Sequence, residues 1–280
     1  MISFREMRIA DIEAGLRLCR AANWNQLERD WQIFLQLNPR GCHVALEGEG
    51  VVGTVTTLQY ENRFGWIGMV LVDPAQRRKG IGMQLLQQGM DALGTGLTNK
   101  LDATPEGREV YLKFDFRDEY PLSRMLARVQ SGLPTNATAQ PLKEMQLEKL
   151  YAYDREIFGA DRSALLNWQW KGAPHYAFSY MANETLKGYC LGRRGYNYDQ
   201  IGPVVADSQE IAKDLLTAAL RQCEGKSIIL DTLHFDKDWV NWIEKLGFAE
   251  QRPFTRMFRG TNAFRNIPQK QWAIMGPEFG

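Results

Sequence analysis

The chain has 280 residues, 44% of them apolar, with 34 basic and 33 acidic side chains interspersed for a formal net charge of +1. That is room for two cores of about 140 residues each, and the even charge pattern speaks against the blocks that nucleic-acid and membrane surfaces need. Four cysteines (Cys19, Cys42, Cys190, Cys223) lack C-x-x-C spacing, so they read as reduced thiols of a cytoplasmic protein and as neither a disulfide frame nor a metal site.

The opening Met1-Ile2-Ser3-Phe4-Arg5 has no apolar leader and no run reaches membrane length, so the sequons at Asn136 and Asn183 carry no expectation of glycosylation. Phe4-Arg5-Glu6-Met7 predicts a first strand and Asp11 a helix cap, with Ile12, Leu16 and Cys19 on one helical face. Trp24, Trp31, Phe34 and Leu37 continue into a second, aromatic-rich helical segment that ends at the turn Asn38-Pro39-Arg40-Gly41. Strands over 43–46 and 51–58 flank the hairpin Glu47-Gly48-Glu49-Gly50. Ile67, Met69, Val70, Leu71 and Val72 then form an apolar strand, stopped by Asp73-Pro74 because proline cannot donate to a ladder. After Arg77-Arg78-Lys79-Gly80-Ile81-Gly82, the residues Met83, Leu85, Leu86 and Met90 recur at helical spacing. Glycines at a helix start let the backbone approach a ligand, and the free first-turn N–H groups and helix dipole favour a phosphate. A short strand, Leu101-Asp102-Ala103, and a short helix over 106–114 ending in Asp115-Phe116 follow.

A Walker A loop is absent. The pattern present, Arg77-x-x-Gly80-x-Gly82 after Val70-Leu71-Val72-Asp73-Pro74, resembles the acetyl-CoA signature of the GNAT N-acetyltransferase superfamily. The resemblance extends over about residues 1–130 and implies an α/β fold with a mixed sheet, acetyl-CoA as co-substrate and no metal. It implies that backbone groups of Val70, Leu71 and Val72 meet the pantetheine and acetyl carbonyl. Arg77, Arg78, Lys79, Gly80, Ile81, Gly82 and Met83 would then hold the pyrophosphate. Val110-Tyr111-Leu112-Lys113-Phe114-Asp115-Phe116 resembles the family's L-Y-x-K-L-G-F segment, which makes Tyr111 the acid for the departing thiolate. Asp115 stands where the family has glycine, and Thr104 where many members place a CoA-contacting asparagine. Family members often carry a basic Glu or Asp on the central strand; here Trp66 and Gly68 occupy that end. Asp102 on the next strand is either the base or a cap for the helix after it, and deprotonation by solvent is a third route.

Ser131-Gly132-Leu133-Pro134-Thr135-Asn136 reads as a linker, placing a first domain at 1–130, the linker at 131–137 and a second domain at 138–280. Beyond it the pattern restarts. Residues 139–144, Ile201-Gly202-Pro203-Val204-Val205-Ala206-Asp207 and Lys245-Leu246-Gly247-Phe248 repeat, in order, the first strand, the central strand and the Tyr111 segment, which argues for duplication. The stretch from Asp207 to Leu216 is shorter than that from Asp73 to Leu86, and what is missing is the basic glycine turn. Ile243 stands at the tyrosine position. The second copy is therefore expected to bind no CoA. It would serve the acceptor side or the scaffold, with Trp24 and Trp66 of the first copy and Arg162 of the second as substrate contacts.

The leading expectation is an acetyl-CoA-dependent N-acetyltransferase acting on a primary amine of a small molecule through a ternary complex. The chain would work as a monomer with an internal pseudo-dimer and without nucleic-acid or membrane partners. Protein lysine or N-terminal acetylation, or non-catalytic acyl-CoA sensing, are the competing readings; a sensor has no use for Tyr111 as an acid. A fragment of residues 1–132 is expected to keep acetyl-CoA binding.

Overall fold

A computed structural model describes residues 1–134, 137–262 and 266–280; the Asn136 sequon and part of the 131–137 stretch lie outside them. The chain is α/β with mixed strand pairing and divides into two compact units.

In the first unit β1 (Ile2–Glu6), β2 (His43–Glu47), β3 (Gly50–Tyr60) and β4 (Phe64–Val72) pair antiparallel in that order, and β5 (Thr98–Ala103) pairs parallel to β4. β3 and β4 are buried along almost their whole length, and β4 accordingly reads as a nearly continuous apolar run. On one face lies α3 (Ile81–Leu93), whose Ile81, Leu85 and Leu86 share a core with Ala45, Val55 and Ile67. Burying each such side chain contributes about 1.5–3 kcal/mol. α1 (Ile12–Ala21) and α2 (Glu28–Leu37) pack so closely that a Cβ on Gly15 would stand 2.8 Å from the Trp31 ring. A short α4 (Pro105–Tyr111) follows β5.

In the second unit the strand order is β6 (Arg117–Arg128), β11 (Ser227–Leu233), β13 (Gln271–Ala273), β10 (Asp199–Ala206), β9 (Thr185–Arg193), β8 (Phe178–Ala182) and β7 (Gln140–Pro141). β11 also pairs parallel with β10. Helices α5 (Leu147–Phe158), α6 (Ser163–Gly172), α7 (Gln209–Leu220) and α8 (Lys237–Lys245) complete it, around a core that includes Leu215, Leu216, Ile228, Leu230, Trp239 and Trp272.

The units are not contiguous halves. The first comprises Met1–Glu119, Arg256–Ala263 and Glu278–Gly280, and the second Tyr120–Thr255 and Phe264–Pro277. Residues from Tyr120 onward leave the first unit because β6 runs in register with β11 from Leu122↔Leu233 to Arg128↔Ser227, and the buried Arg124 pairs with Asp231. Residues from Arg256 onward, at the end of β12 (Ala249–Arg259), join the first unit because Arg256 pairs with Asp102. Glu278–Gly280 lies on the face of β4 opposite α3. The Phe279 ring stacks on Phe34 at 4.9 Å and its carbonyl accepts from the Tyr60 hydroxyl at 2.5 Å.

Candidate active site

The phosphate turn is built as its glycines and basic residues suggest. Asp73 caps a short helical turn by accepting from Ala75 N–H at 3.0 Å and is itself held by Arg17 at 2.9 Å. Arg78 has φ +63° and Gly80 φ +80°; at Gly80 an ordinary side chain would be strained. Gly80 starts α3 with no side-chain cap and no acidic residue in the first turn, so the N–H groups of Ile81, Gly82 and Met83 head an uncompensated positive dipole end. Arg77 reaches the Val72 carbonyl at 3.4 Å, Lys79 holds Gln76 at 2.7 Å, and Arg78 has no protein partner among the described residues. Gly82 faces Val72, whose methyl would stand 3.5 Å from an added Cβ. The cradle fits a pyrophosphate.

Directly before it, β4 opens. The β4–β5 ladder runs from Phe64↔Thr98 to Trp66↔Lys100, and the β3 register shifts between Thr54 and Thr56. Opposite that shift Met69 has φ +52°, and the Thr54 hydroxyl donates to its carbonyl at 2.8 Å. The bulge changes the phase of the strand: Ile67 faces α3 before it, and Val70 and Val72 face the same cluster after it. The result is a stretch at Val70, Leu71 and Val72 beyond the β4–β5 ladder, ending at the phosphate turn.

Tyr111 ends α4, its ring 5.9 Å from Phe116 and packed, as Val70 and Val72 are, against the buried cluster of Ile67, Ile81 and Leu85. Gly107 makes room for it, since a Cβ there would stand 3.1 Å from the ring. Burial pushes the phenol up to about 12, so it stays protonated through the physiological range. Asp115, standing where the family pattern has glycine, holds a left-handed conformation at φ +62°, which aspartate tolerates better than most residues. Thr104 proves to be the cap of α4, its hydroxyl accepting from Gly107 N–H at 3.1 Å. Thr104→Ala should therefore lower stability by about 1 kcal/mol in a thermal or urea melt. A Tm unchanged from wild type would remove the cap from the account.

Three expected side chains are placed differently. Asp102 is not the cap of α4, which is Thr104: its buried carboxylate takes a two-pronged contact from Arg256, at 2.8 and 2.9 Å, and a carboxylate so held is a poor base. Trp66 walls no open pocket, being 1% exposed beneath the Arg256 guanidinium, 4.6 Å from its ring centre, and beside Gly280. Arg162 is no anion anchor. It sits buried in the second unit on Asp154, at 2.9 and 2.8 Å, and over the Phe158 ring at 3.9 Å, with Tyr189 donating to the same Asp154. Trp24 remains half-buried in the α1–α2 connection, with its N–H on the Cys19 carbonyl at 2.8 Å. Beside it the sequence reading overlooked Gln26, whose buried Nε2 donates to Glu278 at 2.8 Å. Nothing near Glu278 in sequence signals that contact.

The counterpart turn in the second unit has another character. Ser208 caps α7 by accepting from Ile211 N–H at 3.4 Å, and Glu210 stands in the first turn. The preceding Asp207 carboxylate gathers Lys270 at 2.8 Å and the Tyr153 hydroxyl at 3.0 Å. This end of α7 is capped by its own serine and carries an acidic residue in its first turn, where α3 has neither. Ile243 is fully buried in α8.

Residues 10–116 match the family described as acetyltransferase (GNAT) family, and residues 150–273 the one described as acetyltransferase (GNAT) domain. The chain is 25% identical over 264 residues to holothin acyltransferase of Pseudoalteromonas sp. (strain SANK 73390), covering 93% of this chain and 88% of that protein. It is 23% identical over 205 residues to an uncharacterized N-acetyltransferase of Bacillus subtilis (strain 168), 72% of each. A solved structure from Pyrococcus horikoshii superposes with a TM-score of 0.85 at 24% identity, over 100% of this chain and 96% of that one. A tandem GNAT protein from the clavulanic acid biosynthesis pathway gives 0.65 at 15% identity, over 94% and 100%. At such identities the structural likeness speaks for the fold.

Proposed function

The chain belongs to the GNAT acetyltransferases, with two such domains in tandem, and from that membership we propose that it acetylates a primary amine of a small molecule at a single acetyl-CoA site in the first unit. The observation that carries the reading is the glycine-capped start of α3, free of carboxylates, standing where β4 runs past its ladder with β5. Acetyl-CoA supplies the acetyl group as a thioester. The amino end of α3, with Arg77, Arg78 and Lys79, binds and orients the pyrophosphate. Backbone groups at Val70, Leu71 and Val72 align the thioester arm, and the Tyr111 hydroxyl donates a hydrogen bond to the leaving sulfur. A small acceptor is supported by the relative named as a holothin acyltransferase. The reaction passes through a complex holding both substrates, since no cysteine is positioned to carry an acetyl group. All four are buried, and burial pushes the Cys19 and Cys42 thiols up to about 12.

Calorimetry should find one acetyl-CoA per chain. Gly82→Glu should weaken binding by at least about 100-fold, because a carboxylate then stands at the positive end of α3; the added Cβ alone has room. Two equivalent sites, or normal binding by the variant, would refute the single-site reading.

A further inference from the structure

Acyl transfer to an amine needs somewhere for the amine's proton to go, since an ammonium ion has no lone pair with which to attack. β4 offers no carboxylate, and the carboxylate of Asp102 is committed to Arg256. What does stand at β4 is Glu278. A Cβ on Gly68 would lie 3.0 Å from the Glu278 carbonyl oxygen, 3.1 Å from its Cα and 3.2 Å from its Cβ. Any side chain at position 68 would push this backbone away by a few tenths of an ångström.

The side chain is oriented too. Gln26 donates its Nε2 to Glu278 Oε1 at 2.8 Å, and the two residues are 4% exposed each. Arg20 pins the Gln26 carbonyl at 2.8 Å and the Trp24 carbonyl at 3.3 Å, so the connection is held from behind. With Nε2 so engaged, Gln26 Oε1 is buried and without a partner among the described residues. An acceptor left in that state is unfavourable, and a donor from a ligand would relieve it. A carboxylate and an unsatisfied amide oxygen side by side, on the face of β4 opposite α3, suit a nitrogen that carries several protons.

We propose that Glu278 is the catalytic base that receives the acceptor's proton, with Gln26 Oε1 accepting a second N–H of the same primary amine. This rests on the acetyl-transfer reading above. The ammonium gives one proton to the Glu278 carboxylate, and the neutral nitrogen attacks the thioester carbonyl carbon. The C–N bond forms and the C–S bond breaks; the departing thiolate accepts a hydrogen bond from the Tyr111 hydroxyl and takes its proton from solvent, and the nitrogen's second proton passes to solvent. Solvent then relieves Glu278, leaving the amide, the free thiol and one released proton.

Two simple amines separate this role from a structural one, with CoA thiol release as the measurement. Ethylamine is an ammonium ion at neutral pH and needs a base; hydroxylamine is neutral and does not. Glu278→Gln still offers Gln26 an acceptor. It should lower kcat/KM for ethylamine by about 100- to 10,000-fold, leave hydroxylamine within about threefold of wild type, and leave acetyl-CoA binding heat unchanged. Gly68→Ala, which displaces the Glu278 backbone without removing any acid, should show the same selectivity for ethylamine. Equal losses on both amines, no loss on ethylamine, or a variant that no longer binds acetyl-CoA would each overturn the assignment. Failure of the wild-type protein itself to bind acetyl-CoA would instead refute the functional reading beneath it.

Discussion

Arg256→Ala should destabilise the first unit by about 3–5 kcal/mol, because it removes the two-pronged partner of the buried Asp102 carboxylate. The guanidinium also covers the Trp66 ring at 4.6 Å, so packing is lost along with charge. Urea unfolding followed by tryptophan fluorescence measures it. The double variant Asp102→Leu with Arg256→Met should return to within roughly 2 kcal/mol of wild type, since it removes both charges together. A loss below about 1 kcal/mol for Arg256→Ala would mean that the pair is hydrated and of little consequence. The same reasoning reverses the expectation for residues 1–132. That fragment has neither Arg256 nor the Phe279 ring on Phe34, so it should be unfolded and show no acetyl-CoA heat, although its phosphate turn is intact.

Tyr111→Phe should lower kcat by about 10- to 1000-fold with acetyl-CoA affinity little changed, as expected when a donor acts on charge that develops only during reaction. The phenol is held at about 12, some three units above an ordinary thiol. Full proton transfer before C–S cleavage is therefore uphill, and the hydroxyl works first as a hydrogen-bond donor. The sign of the pH dependence follows. An acid must be protonated to act, and Tyr111 loses its proton only as pH rises through about 12. Activity at pH 8 to 10 should accordingly show no falling limb caused by this residue. A variant with unchanged kcat, or a wild-type limb near pH 9 that vanishes in the variant, would contradict the assignment.

What was legible in the sequence was what is local. The Arg77–Gly82 turn, the strand before it and the helix after it lie within one short stretch, so glycine, proline and periodicity define them together. Asp115 was legible as a departure, and its positive φ shows that an aspartate can take the glycine's place in that turn. Asp102 was misjudged because its partner lies 154 residues away, where nothing in the local pattern of Leu101-Asp102-Ala103 points. The burial of Trp66 is hidden from the local sequence for the same reason: its covers, Arg256 and Gly280, come from the far end of the chain. Arg162 could have been suspected, since Asp154 is only eight residues before it, but the spacing spans a helix end and carries no period. Glu278 had no signal at all.

The return of residues 256–263 and 278–280 to the first unit also bears on the order in which the protein matures. During translation, Glu119 leaves the ribosome roughly 160 residues ahead of Glu278, which at about 5–20 residues per second is a wait of some 8–30 seconds. Through that interval Asp102 lacks Arg256, and Trp66 and Phe34 lack their covers, so the nascent half is held open and prone to stick to its neighbours. The second unit, complete at Pro277, closes marginally sooner. The half that is made first is finished last.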